Sequence, residues 1–174
     1  DVQEALAGRR VIATHDAGNP RDQMTPFWTA RDPNSYIGWG RSTHLGYSLP
    51  LALGAKVARP DRTVVHVLGD AAFGQGGLDI ETAVRNRIGI LTVLLNNSCL
   101  GGYDKHIPIA TQRYRTRFLS GDYAKVAEGL GAYAEKIEKP AEIVPAVRRA
   151  LAVTETGRPA VLEVITKEEP VFSK

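Results

Sequence analysis

Residues 69–97 read GDAAFGQGGLDIETAVRNRIGILTVLLNN. Within them, Leu78 to Arg87 carries Ile80, Ala83 and Val84 at helical spacing, and Ile90 to Leu95 is an almost unbroken apolar run. A run of that kind is what a strand buried on both faces of a parallel sheet requires. A second one, Thr63 to Leu68, stands just before the stretch. Strand, helix and strand in this order make one βαβ step, so Gly69-Asp70 and Asn96-Asn97 follow the carboxyl ends of successive parallel strands. Either pair alone is an ordinary turn former. At the spacing of a single crossover, the two together bring a carboxylate and an amide to one edge of a sheet.

Working outward, Val11 to Thr14 and Ala160 to Ile165 repeat the buried-strand pattern, and Tyr133 to Ile137 is a weaker strand. Helical patterns alternate with them. Leu45 to Arg59 has Pro50 near its start, Asp122 caps a helix carrying Tyr123, Val126, Ala127 and Leu130, and Pro140 opens another that runs through Leu151. Gly131 and Gly157 then act as helix stops. The expected fold is α/β, a doubly wound, Rossmann-like parallel sheet with helices on both faces, in a single domain over residues 1–174. Asn19 to Arg41, with Pro20, Pro26, Pro33, Trp28, Tyr36 and Trp39, reads as a long structured loop whose aromatics pack or meet another subunit. Ser98 to Gly121 reads as a second irregular region. The opening DVQEALAGRR reads as the end of a helix leading into a strand, with something upstream removed, cleaved or made as another polypeptide.

Composition narrows the function. Of 174 residues, 43% are hydrophobic and 24% charged, and no apolar stretch approaches the roughly 18 residues of a membrane helix, which describes a soluble globular chain. The net charge of +3 is too small, and its basic residues too dispersed, for nucleic-acid binding. One cysteine, Cys99, forms no internal disulfide, and no secretory segment opens the chain, so a cytoplasmic setting is expected.

Beyond each strand lies a polar, Gly-rich loop: His15-Asp16-Ala17-Gly18-Asn19, Gly69-Asp70-Ala71-Ala72-Phe73-Gly74, and Asn96-Asn97-Ser98-Cys99-Leu100-Gly101-Gly102. In a parallel sheet all face the same edge, where ligands of such sheets sit. Hard oxygens beside sterically free backbone N–H groups suit a phosphate ester held through Mg2+, which takes one or two protein oxygens together with phosphate and water. Asp70 offers a carboxylate oxygen, Asn97 an amide oxygen and the loop after it a carbonyl. The N–H groups of Ala71, Ala72, Gly101 and Gly102 are candidates for diphosphate oxygens.

The quoted stretch resembles the thiamine diphosphate fingerprint, which opens on Gly-Asp-Gly and closes on Asn-Asn. HLGYSLPLALGAKVARPDRTVVHVLGD (residues 44–70) and DYAKVAEGLGA (122–132) resemble the corresponding parts of the acetolactate synthase and benzoylformate decarboxylase group. The resemblance covers most of the chain, approximately Val11 to Ile165. It implies the diphosphate-binding domain of that superfamily, with thiamine diphosphate and Mg2+ as cofactors. It makes the Asp70 and Asn97 side chains and the Cys99 carbonyl the metal ligands, with Gly69, Leu100 and their neighbours around the diphosphate. Ala71 stands where the fingerprint has its second Gly. Ala17, Gly18 and Asn19 match the first diphosphate-contacting loop, although Pro20 replaces a residue with an N–H. Leu45 matches the apolar wedge that holds the cofactor's two rings bent. The Thr43 carbonyl matches the acceptor for the exocyclic amine, and His44 beside it joins the cofactor-binding candidates.

The family's activating Glu lies on a separate pyrimidine-binding domain, and no segment here resembles that domain. The resemblance therefore implies a chain inactive alone and completed by a complementary chain or domain in a homo- or hetero-oligomer. Glu81 is read as a structural ion pair or an interface contact. Of the histidines, His66 is read as a satisfied core residue, and His15 as a neighbour of the diphosphate loop. His106, with Tyr103 and Lys105, is a candidate for contact with a small-molecule substrate. The Arg113, Tyr114, Arg115, Arg117 segment reads as a solvated loop, and the Cys99 thiol as unactivated. The implied reaction is decarboxylation or carboligation of a 2-oxo acid. The alternatives are the short subunit of a two-subunit sulfopyruvate or phosphonopyruvate-type decarboxylase, and a non-catalytic regulatory or assembly partner.

Overall fold

A computed structural model describes residues 1–38 and 44–168. Trp39, Arg41 and Thr43 of the sequence reading lie outside the described residues. The apolar runs form a sheet whose order is β2 (Tyr36–Ile37), β1 (Val11–His15), β3 (Thr63–Gly69), β4 (Leu91–Asn96), β6 (Ala160–Ile165) and β5 (Tyr133–Ile137). Every neighbouring pair is parallel. The register runs straight across the middle, with Thr14 opposite His66 and His66 opposite Thr92.

Alternation along the strands divides the core into two layers. Val64, Leu68, Leu94 and Val161 face α3 (Ser48–Ala58), α4 (Asp70–Gly76), α5 (Asp79–Arg85) and α8 (Tyr123–Gly129). Ala13, Val65, Val67, Leu91, Val93 and Leu162 face α1 (Val2–Ala5), α2 (Asn19–Phe27) and α9 (Ile143–Thr154). Leu49, Leu68, Leu94 and Leu162 are wholly buried, each contributing roughly 1.5–3 kcal/mol by leaving water. The expected caps form: the Asp122 carboxylate accepts from the Lys125 N–H at 3.2 Å, and Gly131 and Gly157 take positive φ. The Pro140 helix starts as a 3-10 turn, Pro140–Glu142, before α9.

Three expectations change. The Asn19–Arg41 segment is no loop throughout, since it contains α2 and β2; only Pro20 and Met24 of α2 are buried, too thin an apolar stripe to show as periodicity. Asp70–Gly76 is helical and follows β3 directly, although its glycines read as a turn. The region after Ser98 holds two short exposed helices, α6 (Tyr103–His106) and α7 (Pro108–Tyr114).

His66 is a core residue, as expected. It is fully buried, with Nε2 2.6 Å from Ser48 Oγ and Nδ1 3.3 Å from Thr92 Oγ1. Burial, reinforced by His15, lowers its pKa to about 3 from an ordinary 6.5. The unfolded chain therefore binds a proton that the folded one refuses, and stability falls as pH drops from that ordinary value toward the folded one. Taking the protein from pH 7.5 to 5 should cost about 2 kcal/mol through this group. Urea midpoints across that range will check it, and His66→Gln should flatten the slope.

Candidate functional site: a cavity at the carboxyl edge

β1 leads outward through α2 to β2 on one face of the sheet, whereas β3 leads through α4 and α5 to β4 on the other. The chain thus parts above β1 and β3, which is where open α/β sheets make their ligand crevice. A cavity of about 290 Å3 lies there. Its walls include Ala17 to Pro20 after β1, Gly69 to Ala72 at the β3–α4 junction, Asn97, Cys99, Leu100 and Gly101 after β4, and Leu45 from the turn before α3.

The metal candidates meet in this cavity. Asp70 is buried, its Oδ1 accepting the Ala71 N–H at 2.8 Å and its Oδ2 the Ser98 N–H at 2.7 Å. Burial raises its carboxyl pKa above the ordinary value, while N–H groups of Ala71, Ser98 and Asn97 work against that rise. A cation beside this carboxylate would supply the missing compensation. Asn97 Oδ1 accepts the Cys99 N–H at 3.1 Å and so ties the amide candidate to Cys99, two residues on. Cys99 forms an antiparallel bridge to Phe118, flanked by bonds from the Leu119 N–H to the Ser98 carbonyl and from the Leu100 N–H to the Arg117 carbonyl. Its own carbonyl takes no part in that bridge. Among the described residues there is no cluster of three or more His, Cys, Asp or Glu able to hold a metal by themselves. One carboxylate, one amide and a carbonyl fit a cation that fills its remaining positions with phosphate and water, as Mg2+ does.

Ala71 has no positive φ, so the departure from glycine costs no backbone strain there. The N–H of Ala17 is already given to Asp16 Oδ1 at 2.8 Å, that of Ala71 to Asp70 and that of Leu100 to the Arg117 carbonyl at 2.7 Å, which leaves Gly18, Ala72 and Gly101 as the freer part of the expected cradle. Leu45 reaches the cavity because Gly46, at φ +89°, lies backbone to backbone on α4. A Cβ on Gly76 would sit 2.7 Å from the Gly46 carbonyl oxygen.

Other candidates stand apart. His44 is exposed and, like Gly102, does not line the cavity. Tyr103, Lys105 and His106 lie on exposed α6, outside it. His15 is buried against Tyr36, their rings 5.3 Å apart. Glu81 pairs with Arg85, as expected of a structural ion pair. Arg117 is held by Asp104 and Glu168 rather than solvated, and burial pushes the Cys99 thiol pKa up despite its contact with Arg117. The sequence reading missed Asp22, Gln23, Leu95, Thr166 and Lys167 in the cavity wall, where Pro20 also lies. Thr166 and Lys167 directly follow β6, and reading past every strand end would have found them.

Fold and cavity together define a cofactor-binding domain of the doubly wound class. The family model "Thiamine pyrophosphate enzyme, C-terminal TPP binding domain" matches residues 16–164, and the chain belongs to this family. It is 34% identical to the acetolactate synthase large subunit of Mycobacterium tuberculosis over 98% of its own length and 31% of that protein's. It is 31% identical to the mitochondrial acetolactate synthase catalytic subunit of Saccharomyces cerevisiae, covering 95% of this chain and 24% of that one. A sulfoacetaldehyde acetyltransferase of Alcaligenes xylosoxydans xylosoxydans is 27% identical over 97% of the chain and 28% of the relative. The chain thus spans less than a third of these curated relatives. Among solved structures, the thiamine diphosphate-dependent 4-hydroxybenzoylformate decarboxylase of Rhodococcus jostii RHA1 shares the fold, with a TM-score of 0.81 at 24% identity over 98% of this chain and 33% of that one. No helix among the described residues is long and apolar enough to cross a membrane.

Proposed function

We propose that this chain is the thiamine diphosphate- and Mg2+-binding half of an acetolactate synthase-like enzyme that decarboxylates or carboligates a 2-oxo acid in the cytoplasm. The observation that carries this reading is the convergence of Asp70, Asn97, Cys99, Gly18 and Leu45 on one cavity in a chain of the thiamine pyrophosphate family. Asp70 and Asn97 hold Mg2+ through side-chain oxygens and Cys99 through its carbonyl. The N–H groups of Ala72 and Gly101 would orient the diphosphate, while Leu45 would pack against the cofactor's rings. When bound, the cofactor supplies the carbanion chemistry. The activating Glu and the pyrimidine-binding surface belong to a complementary chain or domain, which closes the site in an oligomer.

Lys167 at the cavity wall favours a second reading, a decarboxylase whose substrate carries an extra anionic group, such as sulfopyruvate or phosphonopyruvate. Turnover of pyruvate against sulfopyruvate by the intact enzyme separates the two. The 174-residue chain, given thiamine diphosphate, Mg2+ and pyruvate, should release no CO2 above the blank. Turnover by the chain alone would refute the need for a complementary half.

A further inference from the structure

Asp16 does not line the cavity, yet its fully buried carboxylate is engaged on every side. Oδ1 accepts the Ala17 N–H at 2.8 Å. The Gly46 N–H lies 3.2 Å from Oδ1 and 3.1 Å from Oδ2, the Ser48 N–H is 3.3 Å from Oδ2, and the Ser48 hydroxyl donates to Oδ2 as well. A further bond between the same two segments runs from Tyr47 Oη to the His15 carbonyl at 2.8 Å. Among the described residues Asp16 makes no ion pair; backbone amides and a hydroxyl do all the compensating.

The donors can be ordered. Ser48 has one hydroxyl proton, and it goes to Asp16, where every contact is a donation to the carboxylate. The contact of 2.6 Å between Ser48 Oγ and His66 Nε2 must then have the imidazole as donor, so Nδ1 accepts from the Thr92 hydroxyl at 3.3 Å. Thr92, His66, Ser48 and Asp16 form one polarised chain, each member strengthening the next. It ends on the carboxylate that binds backbone beside Gly18 and beside Leu45, in two walls of the cavity.

We infer that Asp16 is a positioning residue for the cofactor: through Ala17 and Gly46 it fixes the separation of the diphosphate loop from the Leu45 wedge, with Ser48, His66 and Thr92 holding its carboxylate in place. This rests on the cofactor site proposed above and adds what sets its width. An apolar side chain at position 16 would fill the same space but leave both walls untied.

The test uses the intact enzyme that contains this domain, with calorimetric titration of thiamine diphosphate and, separately, of inorganic pyrophosphate, both at saturating Mg2+. Asp16→Asn keeps the size and turns an amide donor against the N–H groups. It should weaken thiamine diphosphate binding about tenfold or more, while pyrophosphate, held mainly by the Asp70 and Asn97 loops, changes less than about threefold. Its loss should overlap with that of Leu45→Ala instead of multiplying with it. Ser48→Ala, which removes one link and keeps the amide bonds, should show the same pattern in smaller measure and carries the test if Asp16→Asn does not fold. Thiamine diphosphate affinity within about twofold of the parent in these variants would overturn the inference, as would equal losses for both ligands that multiply with Leu45→Ala. A parent enzyme that binds no thiamine diphosphate would instead defeat the proposed function.

Discussion

Asp70→Ala should weaken Mg2+-dependent binding of thiamine diphosphate to the intact enzyme by more than about a hundredfold, because even outer-shell changes at metal sites cost 10–100-fold. The same substitution should disturb metal-free folding far less. It removes acceptors from the Ala71 and Ser98 N–H groups, but it also removes a buried carboxylate whose charge burial disfavours. The two effects oppose each other, so the loss belongs to the cofactor and not to the domain. Calorimetry alongside urea unfolding separates them; unchanged cofactor affinity would remove Asp70 from the metal site.

Glu163→Gln should act the other way, on the fold first. Glu163 is fully buried in β6, its Oε1 accepting from Asn96 Nδ2 at 2.6 Å and its Oε2 from the Ala124 N–H at 2.8 Å. Asn96 cannot turn over to suit a new partner, since its Oδ1 already accepts the Ser98 N–H at 3.0 Å and the Ser98 hydroxyl at 3.1 Å. A glutamine must therefore set its NH2 against a donor, at a cost of about 2–4 kcal/mol in urea unfolding. The loop carrying Asn97 and Cys99 hangs from this arrangement, so cofactor binding weakens with it. Adding Asn96→Asp to Glu163→Gln gives the glutamine amide an acceptor and should recover part of the stability. A single variant within about 0.5 kcal/mol of the parent would contradict this wiring.

The contrast between Asn96 and Asn97 shows how far sequence alone reaches. The pair marks the end of β4 and the edge where the site forms, and that much was legible from an apolar run followed by Asn-Asn. Which asparagine faces the cavity depends on the pleat: Asn97 lines the cavity, whereas Asn96 turns inward to Glu163, the one carboxylate in an otherwise apolar run. Asp16 shows the same limit, since it reads as one more oxygen at the loop edge and is in fact a buried acceptor of amides from a segment 30 to 32 residues away. Strands buried on both faces announce themselves through continuous apolar residues, and the Asp122 cap through its spacing. Helix α2 does not, because two buried side chains carry its packing.

The most direct measurement is a crystal structure of the intact enzyme grown with thiamine diphosphate and Mn2+ in place of Mg2+, with anomalous data locating the metal. A single peak bound by Asp70, Asn97 and the Cys99 carbonyl, bridging to diphosphate oxygens with Leu45 against the rings, is the expected result. A metal bound elsewhere, or a cofactor whose diphosphate avoids these loops, would contradict it.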